Sequence, residues 1–354
     1  MRLAHIVDEP YDSGIVHYAL TAARGLRDAG HDVEVWGRPG AFPLQEAERL
    51  GLRTRPFAGL GDIFSARRAA KRRKLELVNA HTGSAHTLSL ALAHLVRGGP
   101  RVVRTRADAR PVRRTPGGRV LWTRTAGFIA PSKVILQQFR ETYPAAGCPA
   151  ATIYPGIEGM APAPEPEAPP RVGIVGRLDP VKGHADFLHA AAQAAQQFPD
   201  ARFLIAGHEE NVKRAELEAL VSNLGLRGRV EILGHVPDIR AFMRSCHVGV
   251  VASTGSEAVS RAAIEWLSAG RPVVATSVGC LPEFLENGLS GLIVPPSDPR
   301  MMAAALSSLL GSAKLRRRIG ERGRRRFESQ FAMPRFIRET ETFYESTLRG
   351  IPPR

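Results

Sequence analysis

Cysteine, aromatic residues and long apolar runs are all scarce in this chain of 354 residues. Its three cysteines, Cys148, Cys246 and Cys280, lie far apart with no paired spacing. That gives neither a zinc pattern nor a disulfide framework, and it fits a reducing cytoplasm. No apolar run approaches the roughly 20 residues of a spanning helix. The opening Met1-Arg-Leu-Ala-His-Ile-Val meets Asp8 and Glu9 at once, so it reads as a first strand and not as a secretory signal. Aromatics make up 6% of residues and do not interleave the basic clusters, which argues against a nucleic-acid reader. No Gly-x-Gly-x-x-Gly follows a predicted strand, which argues against a dinucleotide oxidoreductase.

What the chain does have is positive charge: 49 Lys+Arg against 34 Asp+Glu, a formal +15. Such an excess favours an anionic partner without naming it. It is concentrated in three stretches, at residues 67–74, 97–124 and 316–326. The last reads as a solvated basic face. The middle one surrounds a loop expected near a ligand.

The length exceeds what one core usually supports, so two domains of roughly 150 to 180 residues are expected. In the first half, short apolar runs at 3–7, 33–36, 77–80, 102–104, 128–130 and 152–154 alternate with helical stretches. Strands separated by helices imply βαβ units and a parallel sheet. The proline-rich segment 161–170 resists both helix and ladder formation. A domain boundary is placed there, giving domains at 1–165 and 166–332. The second half restarts the alternation with strands at 172–175, 203–206, 230–233, 248–251, 273–276 and 292–294. The tail, 333–354, has helical periodicity and is expected to pack back on the first domain. The fold class is therefore α/β, with two Rossmann-like doubly wound sheets whose ligands sit beyond the carboxyl ends of the strands.

Three loops at such ends carry candidate chemistry. After the strand 172–175 come Gly176-Arg177-Leu-Asp-Pro-Val-Lys182-Gly183. Two cations framed by glycines, just before a helix N-terminus, suit a diphosphate. Gly207-His208 stands at the equivalent end of the next strand, where glycine lets a ligand approach the backbone. The third loop runs from Ser253 through Glu257 and Ser260-Arg261 to Glu265. Glu257 is expected on the entry loop, with Glu265 about 12 Å deeper along a helix at 1.5 Å per residue. The N–H groups of Ser260 and Arg261 are available there for phosphate oxygens.

These residues resemble the retaining, two-domain glycosyltransferases of the GT-B fold, the large family 4. The resemblance covers essentially the whole chain. It is carried by Gly-Arg177-Leu-Asp-Pro-Val-Lys182-Gly, Ala206-Gly207, Leu233-Gly-His-Val-Pro-Asp, the Glu257 and Glu265 pair, Ala269-Gly-Arg-Pro-Val-Val-Ala-Thr276 and Asn287-Gly-Leu-Ser-Gly-Leu-Ile-Val-Pro-Pro296. It implies two domains facing a cleft and a nucleotide-sugar donor. Arg177 and Lys182 would hold the diphosphate and Glu257 the donor sugar. Glu265 would take the ribose, and the loop at His235 and Val236 the base. The family's members typically need no metal or other cofactor, and retention of anomeric configuration is implied with it.

The first domain departs from the family pattern. The usual double-glycine loop reads Ser13-Gly14 here, and Ala107 stands where a cleft histidine often falls. Asp108 beside Arg106, or else His81, is the expected substitute, with Ser13, Gly14 and Arg106 on the acceptor side. The Arg-rich segment most resembles transferases of lipopolysaccharide core and cell envelope. A glycan or glycolipid acceptor and peripheral contact with an anionic inner membrane face are implied. A GT-B sugar-nucleotide 2-epimerase would share the fold and nucleotide pocket, but the Arg177–Lys182 motif argues against it.

Overall fold

A computed structural model describes residues 1–350 apart from Ala109, Pro116 and Ser256. The chain divides into two compact units: Met1–Gly156 with Met333–Arg354, and Ile157–Ala332. The proline-rich segment 161–170 thus lies inside the second unit.

The first unit is built on a seven-stranded parallel sheet of β1 (Arg2–Val7), β2 (Asp32–Gly37), β3 (Arg53–Pro56), β4 (Leu77–Ala80), β5 (Arg101–Thr105), β6 (Gly127–Ala130) and β7 (Ala150–Thr152), in the order β3-β2-β1-β4-β5-β6-β7. The central strands are buried on both faces, as helix-covered parallel sheets require, and so read as continuous apolar runs. β3 is the exception. Its Arg-Thr-Arg-Pro sequence forms a half-exposed edge with no apolar signal to announce it.

The final helix, Met333–Arg349, belongs to this first unit. It packs on the helix Gly14–Asp28, where Phe336 meets Tyr18 edge-on at 5.1 Å. Gly25 makes the approach possible, since a Cβ there would lie 2.1 Å from Ile337 Cδ1.

The second unit repeats the plan with six parallel strands: β8 (Arg171–Val175), β9 (Arg202–Ala206), β10 (Val230–Gly234), β11 (Val248–Val251), β12 (Val273–Thr276) and β13 (Leu292–Val294), ordered β10-β9-β8-β11-β12-β13. Val172 pairs with Phe203 on one side and Val248 on the other. Its core is continuous, from Phe187 and Leu188 through the sheet to Leu306 and Ile319. In both sheets the winding reverses beside the first strand, between β1 and β4 and between β8 and β11. Such switch points open a crevice at the carboxyl ends. Among the described residues, no helix is long and apolar enough to cross a membrane.

Candidate functional site

In the second unit, the loops after β8 and β11 flank the switch point, and both sequence-predicted cations lie on the first. The chain leaves β8 at Gly176 and makes a short 3-10 turn, Pro180–Lys182. Asp179 caps that turn, accepting from Val181 N at 2.9 Å and from Asn211 Nδ2 at 2.7 Å. Burial pushes the Asp179 carboxyl up. The two donors, with Arg177 and Lys182, overcome it and hold the group below its ordinary value, so it stays ionised.

Gly183 has φ +69°, and a Cβ on it would lie 1.9 Å from Ala252 O. Only glycine lets this loop sit against the end of β11. Gly207 is equally constrained, 1.8 Å from Gly176 O by the same construction. A bond from Thr254 N to Val181 O (2.9 Å) ties the two loops together.

Lys182 meets Glu257 across the switch point, Nζ to Oε1 at 2.5 Å. The Glu257 side chain is 2% exposed and its Oε1 also accepts from Ser253 Oγ. Its backbone O takes Cys280 N at 2.8 Å, with Gly279 (φ +56°) packed directly against it. The carboxylate is therefore fixed by the ends of β8, β11 and β12. Arg177 remains half exposed, 3.4 Å from Asp179 Oδ2, and its carbonyl accepts from His184 Nε2 at 3.0 Å. Burial lowers the His184 pKa, so that ring is neutral.

Glu265 lies on the helix Arg261–Ser268 and accepts from Arg261 Nε at 2.8 Å, one turn earlier. The Arg261 side chain is thus engaged by Glu265, while its backbone N–H opens the helix where phosphate oxygens were expected. The Ser260 amide lies near the Cys280 thiol. Burial and the Glu257 charge raise that thiol well above its usual pKa, against the pull of the amide. His208 is exposed and 3.7 Å from Glu210, while His235 stands exposed after β10 with Val236 half-buried beside it.

The first-unit candidates divide. Ser13 caps the helix Gly14–Asp28, its Oγ accepting from Val16 N at 3.4 Å. Gly14 opens that helix with nothing within 4 Å of a Cβ. Asp108 binds Arg110 through both the backbone N (2.9 Å) and the guanidinium. Burial raises its carboxyl pKa, but Arg110 and Arg106 more than compensate, so it is ionised. Arg106 donates to Arg110 O at 2.5 Å.

His81, expected as a substitute for the cleft histidine, is instead packed inside the first unit, 1% exposed and stacked on His5 with ring centroids 5.2 Å apart. Its Nε2 lies 3.0 Å from His5 Nδ1. Burial holds both rings neutral, His5 down to about 3. Arg104, counted in the basic cluster, also turns inward and is held by Ala80 O at 3.0 Å.

Sequence reading missed the polar group at the β1/β4 switch point. Asp8, nearly buried after β1, pairs with Arg38 and accepts from Ser84 Oγ at 2.6 Å. Gly279 and Cys280 were missed likewise, and Ser253 was read only as the start of its loop. A small residue at the carboxyl end of a central strand was the available signal for each. Among the described residues, no three His, Cys, Asp or Glu side chains converge as a metal site.

Two family models match consecutive parts of the chain: Glycosyltransferase Family 4 over residues 13–158 and Glycosyl transferases group 1 over 158–326. The alpha-D-kanosaminyltransferase of Streptomyces kanamyceticus is 34% identical over 153 residues, 43% of this chain and 39% of that protein. A phosphatidyl-myo-inositol mannosyltransferase of Mycolicibacterium smegmatis is 29% identical over 344 residues, 89% and 86% of the two chains. The chain spans about two-fifths to one half of the length of the first curated relatives it matches. The crystal structure of HepE from Anabaena in complex with UDP superposes with a TM-score of 0.83 at 18% identity, covering 98% of this chain and 100% of that one. That likeness shows the fold, GT-B. With both models matched in order over residues 13–326, the chain belongs to the group 1 glycosyltransferases of family 4.

Proposed function

We propose that this protein transfers a glycosyl group from a nucleoside-diphosphate sugar to a hydroxyl of a cell-envelope glycan or glycolipid, with retention and without a metal. The observation that carries the reading is the Lys182–Glu257 pair at the β8/β11 switch point, with the half-exposed Arg177 beside it. The relatives' names support the class of activity, and the HepE complex contains UDP, the nucleotide part such a donor would leave behind.

In this reading Arg177 and Lys182 neutralise the donor diphosphate, a preorganised electrostatic role that strengthens as the leaving group gains charge. Binding the diphosphate takes Lys182 from Glu257, whose carboxylate, still held by Ser253, then accepts donor-sugar hydroxyls. Glu265 accepts the ribose hydroxyls, and the His235–Val236 backbone meets the base. Gly207 and His208 lie beside the phosphates. The bond from the anomeric carbon to the phosphate oxygen breaks on the face where the acceptor oxygen bonds. The acceptor proton passes to the departing diphosphate. Ser13, Gly14, Arg106 and Asp108 are assigned to the acceptor.

The envelope assignment, and with it a cytoplasmic protein peripheral to an anionic membrane face, is supported by one surface. On the helix Ile63–Arg73, Phe64 is 73% exposed, preceded by Leu60 at 71% and followed by exposed Arg68, Lys71 and Arg72. Apolar side chains flanked by cations suit an anionic leaflet. The test is product analysis with a donor labelled in its sugar. Label joined to a glycolipid with the anomeric configuration of the donor is expected. Recovery of an epimerised free sugar with no transfer would reject the reading.

A further inference from the structure

The helix Ala313–Gln330 carries seven arginines that the donor site does not use. Side chains four residues apart share a helix face, so 316, 320 and 324 form one row and 317, 321 and 325 the next. The first row binds protein. Arg316 pairs with Glu165 and donates to Leu309 O and Leu310 O, while Arg324 donates to Met160 O at 2.6 Å and to Ser268 O. Between them Gly320 lets the helix touch the chain before β12, where a Cβ would lie 2.2 Å from Gly270 O.

The second row has no described partner for Arg317, Glu321 or Arg325. It overlooks a recess of about 530 Å³ whose other wall is the strap Pro162–Glu165. Arg271 forms part of the lining, only 5% exposed. Its Nη2 donates to Pro164 O and Arg244 O, both at 2.7 Å, yet its buried Nε has no partner. A buried guanidinium donor left unpaired is costly. Five arginines here face two carboxylates, Glu165 and Glu321, and Glu165 is already paired.

We propose that this recess binds a phosphorylated polyol, such as a sugar phosphate, independently of the donor site. Guanidinium forks match phosphate oxygens, and Arg317 and Arg325 are the donors left open for them, with the charge of Arg271 in the wall beside them. Glu321 would repel a bare anion but accepts hydroxyls, which selects a polyol ester over orthophosphate. A concave site with a buried Arg271 takes a small molecule and not a flat lipid surface.

The recess lies at the amino ends of β11 and β12, whereas Ser253 and Glu257 follow the carboxyl end of β11, a strand of about 13 Å. The helix Arg261–Ser268 spans both poles: Arg324 grips Ser268 O, and Glu265 stands one turn earlier. An occupant that shifts Arg324 therefore acts on the helix that presents Glu265.

Equilibrium dialysis of the full chain against a labelled hexose phosphate and against orthophosphate tests the site. Hexose phosphate binding is expected to survive Lys182→Ala and to weaken about tenfold or more in Arg317→Ala/Arg325→Ala, as loss of two charge-assisted contacts implies. Glu321→Gln should strengthen orthophosphate and weaken the hexose phosphate. The proposal is overturned if no free compound binds or if binding falls with Lys182→Ala and not with the arginine pair. It is also overturned if vesicles containing phosphatidic acid bind through these arginines while the free compounds do not.

Discussion

Lys182 and Glu257, 75 residues apart, are joined by a 2.5 Å hydrogen bond at the point where the second sheet reverses its winding. The cation that the proposed reading assigns to the diphosphate is thus held by the carboxylate it assigns to the sugar. Lys182→Ala should cut affinity for a nucleoside diphosphate by more than tenfold, the worth of one charge-assisted contact of about 1.5–3 kcal/mol. Glu257→Gln should leave that affinity intact or raise it, since Lys182 is freed, while lowering kcat. Calorimetric titration and steady-state rates on the two variants check the split.

Two glycines predict opposite outcomes. Gly183→Ala forces a side chain into a left-handed conformation, at about 1–2 kcal/mol, and into Ala252 O besides. It should lower the midpoint of thermal unfolding and abolish nucleotide binding. Gly14→Ala meets open space at the first position of a helix and should be neutral or stabilising by up to about 1 kcal/mol. Melting curves of both variants decide it.

Stability should depend on pH through the buried His5–His81 pair. Both folded pKa values lie below the usual 6.5, His5 at about 3, because burial disfavours the charged ring. The unfolded chain therefore binds more protons between these values. Stability is fully present above pH 6.5 and falls as pH drops toward 3, by up to about 1.4 kcal/mol per pH unit for each ring. Denaturant titrations from pH 7 to 4 should show that slope, and His5→Gln should flatten it. An unchanged slope in the variant would remove the pair as its source.

Nucleotide binding should withstand EDTA. In the proposed reading the charge that offsets the diphosphate is assigned to Arg177 and Lys182, both on one short loop. Titration of UDP into protein dialysed against chelator should give the affinity found with added magnesium. A loss of more than tenfold without the metal would contradict it.

Most of the fold could be read from the chain because parallel strands buried on both faces are unbroken apolar runs, as in Val248–Val251. What escaped were elements whose stability is tertiary. β3 has two arginines and a proline in four residues, and the helix Ala313–Gln330 shows so many charges that only Ile319, Gly320, Gly323 and Phe327 mark its buried side. The cations of the candidate site were legible because glycines frame them. The partner of Lys182 was not, since 75 residues separate it from Glu257 and only the parallel order of β8 and β11 brings them together. His81 misled because the carboxyl end of β4 is a ligand-facing position by topology, whereas packing under His5 closes it. Asp8 was passed over as the residue that ended an apolar run.

The proposed function stands or falls with a nucleoside-diphosphate site on the loops after β8 and β11. It is tested most directly by thermal unfolding of the wild-type chain and of Lys182→Ala against a panel of nucleoside diphosphates and their sugars. At 100 times its dissociation constant, one of them should stabilise the wild type by about 2.7 kcal/mol and leave Lys182→Ala nearly unmoved. No stabilisation by any of the panel, or equal stabilisation of both proteins, would contradict it.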